Sequence, residues 1–411
     1  MVLFFIPKIL RQEIARMEHP ERHLAKRIDM PGRCREFTDL VYSGRRENGK
    51  TDLWQKLQAS ERKFWPPASE YHAYIGELHG HCAMSDGLRS LTPELYFERL
   101  RSLPGLDFAA LTDHDHGGVA AAELWDEGKW ERIQNAVRRY YEPGRFTTLL
   151  AYERDSYPWY NNMVVYYRDD HGEMLRGERD GEITGRELDA ALARDDLLLV
   201  PHDTQSLSAG CDFNSIPLER MTPLIEIASG DNDCAEYFNH PLFSDSCCEG
   251  GTWQDALKRG ARMGVIAGSD SHDGSGGLRF TSSGKNTALT GVWAKENTRE
   301  AIFDALKKRR TFAFTGGRMK LDFRINGHYM GEEFSLPATE DRSIYYGFSG
   351  DAQPERIFVV KNCRDWVILT KPQALFFDYH PEQAVDCYYL RVITKDGRWC
   401  WSSPIWIRNA P

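Results

Sequence analysis

Five short apolar runs in this 411-residue chain end in a residue that binds metal ions, and that repetition narrows the folds open to it. Tyr74 to Leu78 leads into His79-Gly80-His81, and Phe108-Ala109-Ala110-Leu111 leads into Asp113-His114. Leu149 to Tyr152 leads into Glu153, Leu197 to Pro201 into His202-Asp203, and Val265-Ile266-Ala267 towards Asp270 and His272. A strand has a period of two, so His79 and His81 project from the same side, and Asp86 returns a carboxylate from the loop that follows. Imidazole with carboxylate suits zinc, manganese or iron better than calcium or magnesium. One His-x-His alone is often a chance pair of surface histidines. Scattered core histidines, however, would not keep choosing the end of an apolar run. Short apolar runs separated by helical stretches read as buried parallel strands, whose barrels carry their functional residues at the C-terminal ends.

His79-x-His81 with Ser85-Asp86-Gly87, then Thr112-Asp113-His114, then Ser269-Asp270-Ser271-His272, resemble the successive motifs of the polymerase and histidinol phosphatase (PHP) family. The resemblance covers roughly residues 71 to 411. Within the family the chain is most similar to the carbaryl-hydrolase-like (CehA/McbA-type) branch. That closer match is carried by Gly291-Val292-Trp293-Ala294-Lys295-Glu296-Asn297-Thr298-Arg299-Glu300-Ala301-Ile302 and by Trp401-Ser402-Ser403-Pro404-Ile405-Trp406. The resemblance implies an α/β fold, a distorted (β/α)7 PHP-type barrel with a two- or three-metal centre. By position it implies His79, His81, Asp86, His114, Glu153, His202, Asp270 and His272 as ligands of two or three divalent ions (Zn, Mn or Fe). Glu153 is the expected bridge, because two adjacent cations need a bidentate anion between them. Asp113 is expected to orient a ligand histidine, and His116 reads first as a loop residue. After the strand at 223–228, relatives offer another nitrogen or sulfur ligand, whereas this chain has Ser229-Gly230-Asp231-Asn232-Asp233-Cys234. Glu226 or Asp231 substitutes there, or one ion position is lost.

The expected domains are a helical N-terminal extension (1–70), the barrel (71–317) and a C-terminal β-sandwich (318–411). In the extension, Ile9 to Met17 and Leu53 to Phe64 have helical apolar spacing. In the barrel, Thr92-Pro93 opens a helix as cap and first residue, and further helices are expected over 119–141, 186–194 and 253–262. Thr287 to Ala294 reads as the last barrel strand, followed by a helix capped at Asn297 or Thr298. Past Gly316-Gly317 the pattern becomes short alternating strands with Asn326-Gly327 and Asp396-Gly397 turns. The aromatic insertion 155–181, containing Tyr160, reads either as a substrate-binding wall or as a packing loop. The Gly- and Ser-rich segment 274–285 reads as a loop over the site, where Arg279 and Lys285 hold an anionic substrate, or as an ordinary solvated loop.

A hydrophobic share of 41% and a charged share of 27% are those of a soluble globular chain. A formal net charge of -9 argues against general nucleic-acid binding. Nine cysteines, an odd number without framework spacing, point to reduced thiols and a cytoplasmic protein. Met1 to Pro7 is apolar but too short for a membrane span and lacks the basic start of a signal peptide. The expected partner is a small-molecule substrate, with a homo-oligomer contact as one use for the accessory parts. No nucleophile elbow, P-loop or dinucleotide fingerprint competes for the chemistry. The expectation is therefore a hydrolase in which a metal-activated water attacks, with His202, Asp203 or a loop residue as catalytic proton donor. The bond is a phosphoester on the family resemblance, or a carbamate, ester or amide on the branch resemblance. A catalytically silent barrel is the alternative from a different class.

Overall fold

The computed structural model describes residues 69–103, 105–115, 127–157, 159–175, 183–206, 210–229, 233–242, 249–276 and 288–410. Apart from its last two residues, the expected N-terminal extension lies outside them, as do His116, Asp231, Arg279 and Lys285. The chain divides into two compact units, one of residues 70–318 and one that includes residues 319–411.

The first unit is mixed α/β. Strands β1 (His72–Glu77), β2 (Phe108–Leu111) and β3 (Thr147–Tyr157) pair in parallel. Next come β4 (Asn161–Tyr167), antiparallel to β3, and β5 (Leu197–Pro201), antiparallel to β4. Strands β6 (Leu224–Ser229), β7 (Asp233–Cys234) and β8 (Gly264–Gly268) form a separate small sheet, with β6 and β8 parallel. Strand β5 packs beside β6. Beyond the strand ends the backbone of β1 returns to that of β8, through Asp270 N to His79 O at 2.9 Å and His81 N to Ser271 O at 2.9 Å. Strands β1 to β5 therefore follow one another in one sheet, with the small sheet beside β5 and joined to the segment after β1.

Helix α1 (Pro93–Ser102) connects β1 to β2, and its first turn is closed by Thr92, whose hydroxyl accepts from Leu95 N at 3.3 Å. Helix α2 (Glu127–Arg139) connects β2 to β3, and α3 (Gly185–Leu192) connects β4 to β5. Helix α4 (Trp253–Lys258) precedes β8. Reciprocal capping boxes start α3 (Thr184 with Glu187) and α4 (Thr252 with Asp255). The regular β/α alternation breaks at β3 and β4, which form a hairpin. The insertion expected at 155–181 thus supplies a strand of the large sheet, and Met163 to Tyr167 are all buried in it.

Strand β9 (Ala288–Ala294) runs antiparallel to β1, and after α5 (Arg299–Lys307) the strand β10 (Thr311–Thr315) pairs with β9 on its other edge. It is β10, unforeseen in the sequence, that ends this unit's strands. The core gathers alternate residues of successive strands: Phe108 and Ala110, Leu149 and Ala151, Val164 and Tyr166, Leu198 and Val200. This is the period of two that puts every second side chain on one face. Because α5 packs Ile302, Phe303 and Leu306 on the same cluster, these strands read as nearly continuous apolar runs. No helix among the described residues is long and apolar enough to cross a membrane.

The second unit is all β over its described residues. Strands β11 (Met319–Ile325), β12 (His328–Tyr329), β14 (Arg342–Gly350) and β17 (Gln373–Asp378) form one antiparallel sheet in the order β12-β11-β14-β17. A second layer runs from β16 (Arg364–Leu369) through β15 (Pro354–Lys361) to β18 (Val385–Thr394). Strand β18 also pairs with β19 (Trp399–Ser402) and β20 (Ile405–Ala410), and β13 (Glu333–Pro337) lies parallel to β20. The layers are joined by a buried ion pair, Lys361 Nζ to Asp378 Oδ2 at 2.7 Å, on which the Tyr388 hydroxyl also donates at 2.7 Å.

Candidate metal centre

All eight expected ligands come together in space. His79 and His81 follow β1 directly. His114 follows β2 and forms a parallel bridge with Glu153, which sits within β3. His202 follows β5, and Asp270 and His272 follow β8. Asp86 comes from the loop after His81, and Asp270 and Asp203 both sit at φ 51°, a left-handed backbone that aspartate tolerates better than most residues. Four overlapping triplets of these eight place their donor atoms within 4.8 Å of one another.

The donors fall into a closed set and an open one. In the closed set, His79 Nε2 is 3.1 Å from Glu153 Oε2 and 3.6 Å from Asp270 Oδ1. His81 Nε2 is 3.3 Å and 2.9 Å from the same two oxygens. Donors of a tetrahedral zinc ion with bonds of about 2.0–2.1 Å stand roughly 3.3 Å apart, so these spacings fit. His79, His81 and Glu153 are buried, while the Asp270 side chain is 29% exposed. In the open set, Asp86 Oδ2 is 3.0 Å from His272 Nε2 and 3.7 Å from His114 Nε2. The side chains of Asp86, His114 and His272 are 21%, 13% and 43% exposed, so this set faces solvent. Glu153 belongs to both neighbourhoods: Oε2 is also 3.5 Å from His114 Nδ1, and Oε1 receives His202 Nε2 at 2.5 Å. One carboxylate thus touches four imidazoles.

Electrostatics follow from that packing. Burial works against the charged form of Glu153, yet His202 and His79 outweigh it and hold the carboxyl well below its usual range. Asp86 and Asp270 are lowered in the same way, against burial, by His272 with His81 and by His79 with His81. Burial opposes the charged form of His79 and His202 too, but Glu226 and Asp270 around the first and Glu153 and Asp203 around the second raise both. This field attracts a divalent cation. His81 Nδ1 and Nε2, His114 Nδ1 and Asp270 Oδ1 are buried atoms that make no hydrogen bond. Leaving such atoms unmatched is costly, and a cation held between them removes the cost. The donor set therefore fits divalent metal binding.

Other expected site residues have different duties. Both oxygens of Asp113 go to the loop after His81: Oδ1 accepts from Cys82 N at 2.9 Å, Ser85 N at 3.0 Å and Ser85 Oγ at 2.6 Å, and Oδ2 from Cys82 Sγ at 2.9 Å. Asp113 thus shapes the segment that delivers Asp86 and does not orient a histidine. Tyr160 is buried and donates to Arg220 O at 2.8 Å, so it locks a loop and offers no substrate-binding face. Asp203 stays near the centre, with Oδ1 3.6 Å from His202 Nδ1 and its side chain 34% exposed.

Two supporting carboxylates, Glu77 and Asp115, escaped the sequence reading, and a third, Glu226, was expected there as a candidate ligand. Glu77 Oε1 accepts from His79 N at 3.0 Å and Ser269 N at 2.9 Å, tying together the two ligand-bearing segments. Asp115 pairs with Arg154, next in the chain to His114 and Glu153. Glu226 Oε2 lies 2.8 Å from His79 Nδ1. Only Glu226 had a signal, as a carboxylate inside an apolar strand.

A family model described as a protein of unknown function (DUF3604) matches residues 270–347. Among curated proteins, an uncharacterized protein of Chlamydia pneumoniae is 24% identical over 360 residues, covering 81% of this chain and 57% of the relative. An uncharacterized protein of Chlamydia muridarum is 29% identical over 240 residues, covering 52% of this chain and 38% of the relative. The chain thus spans about half, or less, of the length of these curated relatives. Among solved structures, a two-domain protein of Bacteroides vulgatus, described as containing a predicted PHP-like metal-dependent phosphoesterase, is similar at 14% identity. Its TM-score is 0.44, and the match covers 84% of this chain and 97% of that one.

Proposed function

We propose that this chain is a metal-dependent hydrolase that activates water at a centre of two or three ions and cleaves a phosphoester in a small molecule. The observation that carries the reading is the open set of Asp86, His114 and His272, both imidazoles gathered around Asp86 Oδ2, beside the closed set of His79, His81, Glu153 and Asp270, in which Asp270 alone is part exposed. Three protein donors with an open position are the arrangement of catalytic sites, whereas closed sets serve structure. Divalent ions there would supply a water of lowered pKa and a Lewis acid for the attacked oxygen. His79, His81 and Glu153, being buried, exclude bulk water from the inner side. His202, the neighbouring Asp203, whose side chain is 34% exposed, or a loop residue would give a proton to the leaving oxygen.

Phosphoester is the bond supported by the PHP-like motifs; the CehA/McbA-like residues 291–302 and 401–406 support carbamate or ester cleavage as the second reading. The reduced thiols and acidic balance of the sequence support a cytoplasmic enzyme of small molecules, and any self-association falls to its accessory parts. Elemental analysis of purified protein, coupled to hydrolysis of p-nitrophenyl phosphate, bis-p-nitrophenyl phosphate and 1-naphthyl N-methylcarbamate, tests the proposal. Stoichiometric metal with phosphoester turnover, lost in His79→Ala, supports it. Turnover of the carbamate alone moves the protein to the second reading. No metal and no turnover after reconstitution leaves a silent scaffold.

A further inference from the structure

We infer that Glu226 is a positioning residue of this centre: it binds no ion itself, but holds His79 in the one tautomer that can. The inference rests on the metal-centre reading and assigns a role to a carboxylate that reading leaves over. Glu226 lies in β6 among Leu224, Ile225 and Ile227, fully buried, where an ionisable group is costly unless it is matched. Its match is His79 Nδ1, 2.8 Å from Oε2, while Oε1 makes no hydrogen bond. A carboxylate accepts, so Nδ1 carries the proton and Nε2 presents its lone pair. Nε2 is the nitrogen that faces Glu153 Oε2 at 3.1 Å and Asp270 Oδ1 at 3.6 Å.

Two further observations separate positioning from ligation. Among the described residues, Glu226 belongs to none of the donor clusters, although His79 belongs to two of them. The space the carboxylate occupies is also made for this contact. Gly268 closes β8 beside it, and a Cβ there would stand 2.2 Å from His79 Cβ and 2.7 Å from Glu226 Oε1. The absence of a side chain at 268 lets ring and carboxylate meet edge to edge. Glu226 therefore does not stand in for the ligand missing after β6; its effect passes through His79.

The test is zinc binding to the full chain, by titration against a chelating dye and by elemental analysis, for wild type, Glu226→Gln, Glu226→Ala and His272→Ala. In Glu226→Ala the tighter equivalent, assigned to the closed set, weakens roughly 10- to 100-fold, the usual cost of losing such a partner, with the number of equivalents unchanged. Glu226→Gln, whose amide oxygen still accepts the Nδ1 proton, recovers most of that loss. His272→Ala weakens the other equivalent instead. In zinc-loaded wild type and Glu226→Gln, nitrogen-15 NMR shows His79 protonated at Nδ1. Loss of a whole equivalent in either Glu226 variant makes Glu226 a ligand and overturns the inference, and so does unchanged affinity for both equivalents in Glu226→Ala. Should circular dichroism show the Ala variant unfolded, the isosteric Gln variant and the NMR signal decide. A wild type that binds no zinc fails at an earlier step, overturning the metal-centre reading and this inference with it.

Discussion

Arg154 and Asp115 form an ion pair from which solvent is wholly excluded, each the immediate chain neighbour of a residue of the metal centre. Arg154 follows Glu153 in β3 and points to the opposite face of the strand, so the pair anchors from behind the segments that carry Glu153 and His114. Breaking a buried pair on one side leaves an uncompensated charge, at a cost of about 3–5 kcal/mol. Asp115→Ala is expected to lose stability on that scale in urea unfolding. The double variant Asp115→Leu/Arg154→Met is expected to recover much of the loss, since a pair of apolar residues strands no charge. A loss below about 1 kcal/mol in Asp115→Ala would show the pair to be no anchor.

Glu153 is the residue whose loss spreads furthest. It touches His79, His81, His114 and His202, from the closed set through to the open one. An outer partner costs 10- to 100-fold in metal affinity, and a carboxylate shared by both donor sets costs more. Glu153→Ala is expected to bind neither equivalent of zinc at micromolar concentrations, whereas His272→Ala keeps one. Equilibrium dialysis of the two variants side by side makes the comparison. Equal zinc content in both would show that Glu153 does not link the sets.

That these side chains cluster was legible because the signal is local: an apolar run, then a residue of ligand type, five times over. The elements that hold them were not. Asp113 in Thr-Asp-His reads as a partner of the histidine beside it, and only the fold reveals that the Cys82 to Ser85 loop claims both its oxygens. Glu77 and Glu226 act across gaps of 192 and 147 residues, to Ser269 and His79, and no sequence window spans such a distance. Strand β4 lies in an aromatic and polar stretch where Met163 to Tyr167 reads as a short strand, but that β3 and β5 claim both its edges shows only in the fold. Strand β10 follows directly on the basic end of α5, and Thr311 to Thr315 drew no assignment from the sequence, although every one of those residues is buried.

His272 sets a pH dependence. Its imidazole is raised from 6.5 to about 9, first by the hydrogen bond with Asp86, against burial, and then by the charge of Asp270. A raised value stabilises the metal-free fold fully below the unfolded value of 6.5, and that contribution fades as pH climbs through about 9. Zinc needs the neutral ring, so its affinity at the open set is expected to rise with pH over the same window. Uptake at pH 7.5 should release a proton from His272. Calorimetry in buffers of different ionisation enthalpy measures this, and His272→Ala should release about one proton fewer than wild type. Equal proton release would place the zinc elsewhere.

Gly268 offers the sharpest steric test, because the added atom is one methyl group. Its Cβ would meet His79 Cβ at 2.2 Å and His79 N at 2.8 Å, both far inside contact distance, and neither neighbour is the free end of a flexible chain. His79 is held from three sides: by Glu77 at its backbone N–H, by Glu226 at Nδ1 and by Asp270 N at its carbonyl. It can yield only by moving the ligand. Overpacking of this kind costs about 1–3 kcal/mol, and Gly268→Ala is expected to lose that much stability in urea while its zinc affinity falls at the closed set. Gly260, at φ 98° with nothing within 4 Å of an added Cβ, is the control: Gly260→Ala strains the backbone but touches no ligand, so its zinc affinity should equal that of wild type. Loss of stability in both variants with zinc affinity intact in both would show that the approach of β8 to His79 does not set the geometry of the centre.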